Sequence, residues 1–195
     1  MKYLFTIIIA IVFLSCTDTR EKTKNEMVHN DHFNWTISIP DGFVKQTTEE
    51  SEAQQAKGAQ MISDTYDQEI DYIANTIFSF KKDETNYFES NYQPFDTAVD
   101  GNYLTSCKEV NQIIYNTFLS QMEDVTMDSN STTQLIDGIV FQQFNVIITF
   151  PNQMKLTTHM YSSLFDKEEL TINIMYVNQE SGDKMLESWL NSSFH

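Results

Sequence analysis

Cysteine is scarce in this sequence, which has two among its 195 residues, Cys16 and Cys107. No CxxC pair and no cluster of cysteine with histidine is present, so the spacing predicts neither a metal site nor a dithiol redox centre. If Cys16 is modified as argued below, Cys107 has no partner for an intramolecular disulfide. We therefore expect an apolar core to stabilise the fold, without metal or cofactor.

Glycine, proline and basic residues are also few. Five glycines and three prolines exclude a collagen-like or low-complexity chain. Only 12 Lys and Arg stand against 28 Asp and Glu, which gives a net charge of −16. Nucleic-acid affinity depends on Lys and Arg that neutralise phosphates, so we predict no nucleic-acid partner. The same charge repels an anionic membrane surface, so attachment to a membrane needs another device.

The chain also lacks an apolar run long enough to span a membrane, which takes about 20 residues. The run at residues 4–14 follows Lys2 and precedes Ser15 and Cys16, after which the chain becomes polar. This order is typical of a signal peptide, and it resembles a bacterial lipoprotein signal, in which the cysteine is lipidated and becomes the mature N-terminus. An ordinary secretory signal with an unrelated cysteine and an uncleaved N-terminal anchor are the alternatives.

On this interpretation residues 1–15 are a signal peptide, residues 16–32 a lipidated flexible tether, and residues 33–195 a single domain. Cys16 is the predicted lipid-attachment site, since the thioether to diacylglycerol forms on sulfur. Stable anchoring needs more than one acyl chain, which a lipoprotein carries. The predicted location is the bacterial cell envelope, with the lipid in a membrane and the domain outside the cytoplasm.

The hydrophobic pattern of residues 33–195 changes between a period of two, typical of strands, and a period near 3.6, typical of helices. Capping boxes at Thr47/Glu50 and Ser106/Glu109 predict two helix starts, and Ser181 is the predicted N-cap of a third helix. Antiparallel strands covered by helices define an α+β fold. The predicted strands are 35–39, 72–80, 125–129, 132–137, 139–150, 154–165 and 170–177.

Three stretches of this domain resemble the PsbP-like α/β-sandwich superfamily. They are WTISIPDGF at residues 35–43, DGIVFQQF at residues 137–144 and LESWLNSSF at residues 186–194. The superfamily includes an extrinsic subunit of photosystem II, a Ran-binding protein and many small bacterial lipoproteins. The resemblance implies an α/β/α sandwich and a binding or assembly role, and it supplies no catalytic residues.

We therefore expect a non-catalytic binding or assembly factor with a protein or small-molecule partner. The predicted ligand-binding residues lie in the segment 86–103, where aromatic rings alternate with amides and carboxylates, a combination that suits sugar or peptide recognition. The alternative is that these rings belong to the core. The predicted binding residues are Tyr87, Tyr92, Phe95 and Tyr103.

An envelope hydrolase that uses His159 or Cys107 is the alternative function. Cys107 falls in the first turn of a predicted helix, where the helix N-terminus lowers the pKa of a thiol. A small buried hydrophobic residue is the competing interpretation. His159 lies four residues before Ser163 on a strand, but the sequence has no GxSxG nucleophile elbow. No catalytic residue is therefore assigned.

The lipoprotein interpretation predicts that Cys16→Ala moves the protein out of the membrane fraction and abolishes its labelling with a radioactive fatty acid. The reason is that the alanine side chain cannot carry the thioether. Fractionation after an alkaline wash measures the outcome. A variant that stays in the membrane pellet would show that the apolar run is an uncleaved anchor.

Overall fold

The computed structural model describes residues 26–69 and 74–195. The predicted signal peptide, Cys16 and the first part of the predicted tether lie outside these residues. The described part is an α/β/α sandwich with three helices and nine strands, which confirms the predicted α+β fold and its antiparallel sheet covered by helices. No helix among the described residues is both long enough and apolar enough to cross a membrane.

Seven strands form one antiparallel sheet in the order β3-β4-β5-β9-β8-β7-β6, and β1 pairs with β2 in a separate hairpin. The strands are β1 Glu26–Asn30, β2 Trp35–Ile39, β3 Val44–Lys45, β4 Asn75–Asp83, β5 Asn86–Pro94, β6 Thr126–Ile136, β7 Ile139–Thr149, β8 Lys155–Phe165 and β9 Glu168–Tyr176. The helices are α1 Thr48–Tyr66, α2 Tyr103–Gln121 and α3 Gln179–Leu190.

Tight turns set the register of the long strands. Asp137 and Gly138 connect β6 to β7 with φ angles of 45° and 83°. Positive φ at both central residues is what a two-residue type I′ hairpin turn requires, and Asp-Gly supplies it at low cost. As a result β6 and β7 pair along their whole length, from Ile136 opposite Ile139 to Thr126 opposite Thr149.

One face of the large sheet holds the main core. Alternate residues of the strands face α3 and the β1–β2 hairpin there, as the period-two pattern predicts. Trp35, Phe141 and Trp189 are buried in this core, with Trp189 packed edge-to-face on both other rings at 5.9 Å and 5.0 Å between centroids. Aromatic pairs in this geometry stabilise the fold beyond their buried area.

The opposite face is covered by α1 and α2 and has a smaller core. Its fully buried cluster consists of four residues, Phe144, Val146, Ile148 and Leu156, which lie on β7 and β8 beneath α2. Helix α1 begins at the predicted capping box of Thr47 and Glu50. Among its residues only Ser51 is buried, so α1 contributes little apolar contact to this core.

The structure differs from the tether expectation at Glu26–Asn30. These residues form β1, which pairs in antiparallel register with β2, from Glu26 opposite Ile39 to Asn30 opposite Trp35. The sequence did not predict this strand, because most of its side chains are exposed. A strand that is stabilised mainly by backbone hydrogen bonds shows no clear alternation of apolar and polar residues. The folded part of the chain therefore includes residues before Phe33.

Two helices begin earlier than expected. The N-cap of α2 is Asn102, whose side chain accepts from the Thr105 backbone N–H, so Cys107 lies beyond the first turn. The N-cap of α3 is Asn178, which accepts from the Ser181 N–H. Asn is as strong an N-cap as Ser. The predicted N-caps Ser106 and Ser181 were wrong. Each lies a few residues inside its helix, which begins after Asn102 or Asn178.

The strands also depart from expectation in two places. The two short strands predicted between residues 125 and 137 are the single strand β6. The segment 86–103, expected to lie outside the regular elements, begins with β5, which runs between β4 and β9 in the sheet. The polar residues of β5 broke the hydrophobic alternation by which a strand is recognised.

Trp189→Ala should lower the free energy of unfolding by about 3–5 kcal/mol, the usual cost of removing a large core aromatic. Trp189 is fully buried and its indole N–H has no hydrogen-bond partner among the described residues, so the loss is one of packing. Urea denaturation measures it. Leu190→Ala is the matched control, since Leu190 is 46% exposed and surface substitutions cost well under about 1 kcal/mol. Equal effects of the two changes would contradict the placement of α3.

Candidate functional site

A cavity of about 220 Å³ lies between α1, α2 and the sheet face that carries the smaller core. Helix α1 contributes residues from Gln54 to Ile62, and α2 contributes Ile114, Thr117 and Phe118. The floor comes from three adjacent strands, β5, β9 and β8. Concave sites lined mostly by apolar side chains with a few polar groups are the usual form of small-molecule sites.

The strand register arranges the floor as two rows of three side chains on one face. In one row Tyr87 of β5 stands opposite Met175 of β9, and Met175 stands opposite Thr158 of β8. In the other row Glu89, Asn173 and Met160 occupy the same three strands. Residues two apart on a strand share a face. The floor therefore places Met175 between Tyr87 and Thr158, and Asn173 between Glu89 and Met160.

The roof is open because α1 brings small side chains to this place. Gly58 and Ala59 line the cavity, and a β-carbon added at Gly58 would meet no atom within 4 Å. A glycine inside a helix costs roughly 1 kcal/mol relative to alanine. Here the glycine lies at an exposed position of α1 that lines the cavity.

Glu89 is the buried carboxyl of the site, with 6% of its surface exposed. The side-chain amide nitrogen of Gln55 on α1 donates to Glu89 Oε1 at 2.7 Å, and it lies at the same distance from Thr76 Oγ1 and Asn91 Oδ1. Burial raises the pKa of Glu89, and the hydrogen bonds from Gln55 and Asn91 oppose that rise. No salt bridge among the described residues involves this carboxyl, so the opposing hydrogen bonds come from neutral amides.

Thr158 is the second unusual polar group of the floor. It is 4% exposed, and its hydroxyl has no hydrogen-bond partner within the described residues. A buried hydroxyl without a partner costs free energy, so such groups are uncommon in folded proteins. Because Thr158 lines the cavity, a molecule in the cavity can supply the missing partner.

Tyr87 is the one predicted binding residue that lines this cavity. Gln54 donates to its hydroxyl, while burial raises the pKa of Tyr87 to about 12. The ring therefore stays protonated and neutral at physiological pH, and its hydroxyl remains a donor. The prediction that Tyr87 contacts a ligand is compatible with this position and stays a prediction.

The other predicted binding residues lie elsewhere. Tyr92 is on the opposite face of β5, where its ring lies 5.0 Å from that of His32 and 5.5 Å from that of Phe33. Phe95 is buried against Tyr103, with 5.3 Å between ring centroids. Tyr103 donates to Ser162 Oγ at 2.9 Å, and burial raises its pKa. The four predicted rings therefore do not form one surface. A binding role for Tyr92, Phe95 and Tyr103 stays a prediction.

The two residues of the hydrolase alternative lie on opposite faces of the sheet. His159 contacts Asn145 Oδ1 and, at 3.1 Å, the Tyr176 hydroxyl on the α3 side, and burial lowers its pKa. Cys107 lies on the α2 side, 3.7 Å from Ser162 Oγ, and burial raises its pKa. The hydroxyl of Ser163 donates to the Val140 carbonyl. Neither residue is thus placed with the nucleophile, base and orienting group that hydrolysis needs.

Sequence reasoning missed Gln55, Glu89 and Thr158 as a group. They come from α1, β5 and β8, and only the sheet register and the position of α1 bring them together. Glu89 lies between Phe88 and Ser90 on a strand that the hydrophobic pattern did not reveal, and a glutamate in such a segment is expected to be exposed. In the described ranges no group of three or more potential ligand side chains is placed to hold a metal ion.

Comparison with known proteins supports the fold. No protein-family model and no curated protein matches the chain. Among solved structures it is similar to the solution structure of cyanobacterial PsbP (CyanoP) from Synechocystis sp. PCC 6803, with a TM-score of 0.53 and 10% sequence identity. The match covers 87% of this chain and 92% of that chain. The chain therefore has a PsbP-like fold, and at this identity the likeness carries no site residue.

Glu89→Gln should stabilise the protein more at neutral than at acidic pH. Because the pKa of Glu89 is higher in the folded chain than in the unfolded chain, its contribution to stability is present below the unfolded value and is lost as pH rises through the folded value. Glutamine mimics the protonated acid at every pH. Thermal melting from about pH 4 to about pH 7 should show the gap between variant and wild type widening with pH.

The exposed Glu123→Gln is the control, since it makes the same change in net charge outside the cavity. A gap that stays constant across this range for Glu89→Gln, or that widens equally for both variants, would contradict the assignment of Glu89 as a buried acid.

Proposed function

We propose that this protein is a lipid-anchored binding protein of the bacterial cell envelope that holds a small molecule, without catalysis, in the cavity beneath α1 and α2. The observation that carries the proposal is the unpartnered Thr158 hydroxyl in the wall of an apolar cavity. A core selected only for packing would fill this space or replace the hydroxyl with a methyl group.

The neighbouring contacts support a site that is built in advance. Glu89 and Asn91 are buried and held by Gln55 on α1, so both the floor and the roof have a defined position. Preorganised polar groups lower the cost of binding, because less side-chain freedom is lost when the ligand arrives. Tyr87 belongs to this site as a proposed ligand contact.

The envelope location rests on the order of Lys2, the apolar run, Ser15 and Cys16 in the sequence. A domain with so large an excess of acid is not drawn to anionic lipid by charge, so a lipid on Cys16 would supply the attachment. The PsbP-like fold is compatible with an accessory role of this kind. Hydrolysis is the less supported function, because in the described part of the chain neither His159 nor Cys107 lies with the partners that a catalytic triad needs.

Filling the cavity should weaken small-molecule binding. Gly58→Met places a longer side chain at a position that lines the cavity and has space for a β-carbon. Indole, a small neutral aromatic compound, should bind to the wild-type protein in lipid nanodiscs and lose at least about tenfold in affinity in the variant, which corresponds to about 1.4 kcal/mol. Isothermal titration calorimetry, with empty nanodiscs as the blank, measures the affinity.

Gly58→Ala is the matched control. It adds only a methyl group, so indole binding should persist, and helix propensity should raise the stability by up to about 1 kcal/mol. Indole binding that is equal in the methionine and alanine variants would place the bound molecule outside the cavity and contradict the proposal.

A further inference from the structure

We propose that the ligand of this cavity is a small organic cation, a primary amine on a compact apolar body, whose ammonium group pairs with Glu89 and whose far end reaches Thr158. This inference rests on the proposed function and adds the chemical class of the ligand. It is carried by three features of the described residues: a shortage of hydrogen-bond donors at Glu89, the sign of the charge in the cavity, and the unpartnered hydroxyl of Thr158.

The shortage of donors begins at Gln55. Its side-chain nitrogen carries two protons, yet it lies 2.7 Å from three acceptors, on Thr76, Glu89 and Asn91. Thr76 and Asn91 also carry donors of their own, and Asn91 donates to the Glu89 carboxyl beside Gln55. A buried carboxylate offers about four lone-pair directions, and these two amides fill only two of them. A group that brings several donors is therefore the complement of this cluster, and an ammonium group brings three.

The charge of the cavity selects a cation. The titratable side chains that line it are Glu89 and Tyr87, and none of its lining residues is Lys, Arg or His. From α1 the groups facing the carboxyl are the neutral Gln54 and Gln55, from β9 the neutral Asn173, and from β8 Met160. An anionic ligand would meet Glu89 without any compensating base, and the net charge of −16 disfavours its approach.

The remainder of the lining suits an apolar body. Met160 and Met175 lie on the floor, and Ile114, Phe118 and Ile62 close the sides. Methionine is flexible and polarisable, and it adapts to aromatic groups in particular. A volume of about 220 Å³ lies below the usual range of roughly 300–1,000 Å³ for drug-sized ligands. The body is therefore a single ring or a short branched chain.

Thr158 sets the length of the molecule. Glu89 and Thr158 occupy opposite corners of the two-by-three floor, two strands apart and one two-residue step along the sheet. With strands about 4.8 Å apart and about 3.4 Å per residue, their Cα atoms are about 12 Å apart. A single ring with an amine arm on one side and a hydroxyl group on the other can contact both ends.

The pairing makes binding depend on pH. The ammonium group binds the ionised carboxylate better than the protonated acid, so a proton on Glu89 competes with the ligand. Affinity for an amine should therefore fall as pH falls through the pKa of Glu89, which burial raises. A neutral ligand of the same shape has no such competition, and its affinity should stay constant.

Three compounds of nearly the same shape test the inference: tyramine, 4-ethylphenol, which lacks the amine, and 3-(4-hydroxyphenyl)propanoate, which carries an anion instead. Isothermal titration calorimetry with the full-length protein in nanodiscs should show tyramine binding at least about tenfold tighter than either analogue, the effect expected of a charge-assisted hydrogen bond. Tyramine affinity should also weaken between about pH 8 and about pH 5.

Two glutamine variants then assign the effect to one carboxyl. Glu89→Gln should remove the preference for tyramine and its pH dependence while leaving 4-ethylphenol binding unchanged. Glu123→Gln, with the same loss of one charge at an exposed position, should keep both. Thr158→Val, nearly equal in shape, should weaken tyramine binding without removing its pH dependence.

Each contrary result has a distinct meaning. Equal affinity for the three compounds, or tightest binding of the anion, would overturn the amine assignment and leave a small-molecule site in place. No binding of any of the three to the wild-type protein would also overturn it, and the indole titration with the Gly58 variants would then decide the proposed function by itself. A tyramine preference that survives Glu89→Gln would place the cation site elsewhere.

Discussion

The packing of Trp189 against Trp35 and Phe141 is the interaction on which the rest of this structure depends. It joins α3, the β1–β2 hairpin and β7 in one aromatic cluster, and so it completes one face of the seven-stranded sheet. Burial of several large rings contributes far more stability than the scattered residues of α1 can. With one face so well filled, the protein can leave the other face incompletely packed.

The incomplete face is where the candidate site lies. Helix α1 has a sound capping box but only one buried residue, so hydrogen bonds from Gln55 to Glu89 and Asn91 hold it over the sheet in place of a continuous apolar contact. Polar contacts of this kind have a direction, and they set the position of the helix while leaving space beneath Gly58. The cavity is thus a consequence of the uneven distribution of apolar residues, most of which lie on the face covered by α3 and the β1–β2 hairpin.

The charge of the protein fits the same view. The field of an acidic domain disfavours approach to anionic lipid head groups and to phosphate backbones. That field attracts cations, and inside the cavity it converges with a buried carboxyl that no basic side chain neutralises. Solubility requires an excess of charge of either sign, but Glu89 is the one carboxyl in a cavity that no Lys, Arg or His lines, which makes the negative sign relevant to the proposed ligand as well.

The sequence by itself determined the elements with a strong local signal. The three long strands β7, β8 and β9 and the capping box of α1 were predicted, because side-chain period and caps act over a few neighbours. The WTISIPDGF stretch and its companions carried the resemblance to the PsbP-like fold, which the structural similarity confirms. The strands β1 and β5 were not predicted, because their polar residues interrupt the alternation of apolar and polar side chains by which a strand is recognised.

Only the tertiary structure decided which of these residues meet. The segment 86–103 held five aromatic side chains in sequence, but the alternation of β5 sends Tyr87 to the cavity and Tyr92 to the opposite face, while Phe95 packs against Tyr103. Gln55, Glu89 and Thr158 are distant in sequence but line one cavity, because strand register and the position of α1 are long-range properties. A local sequence pattern indicates the secondary structure and burial that each residue favours. A binding site depends on which side chains the tertiary structure brings close together.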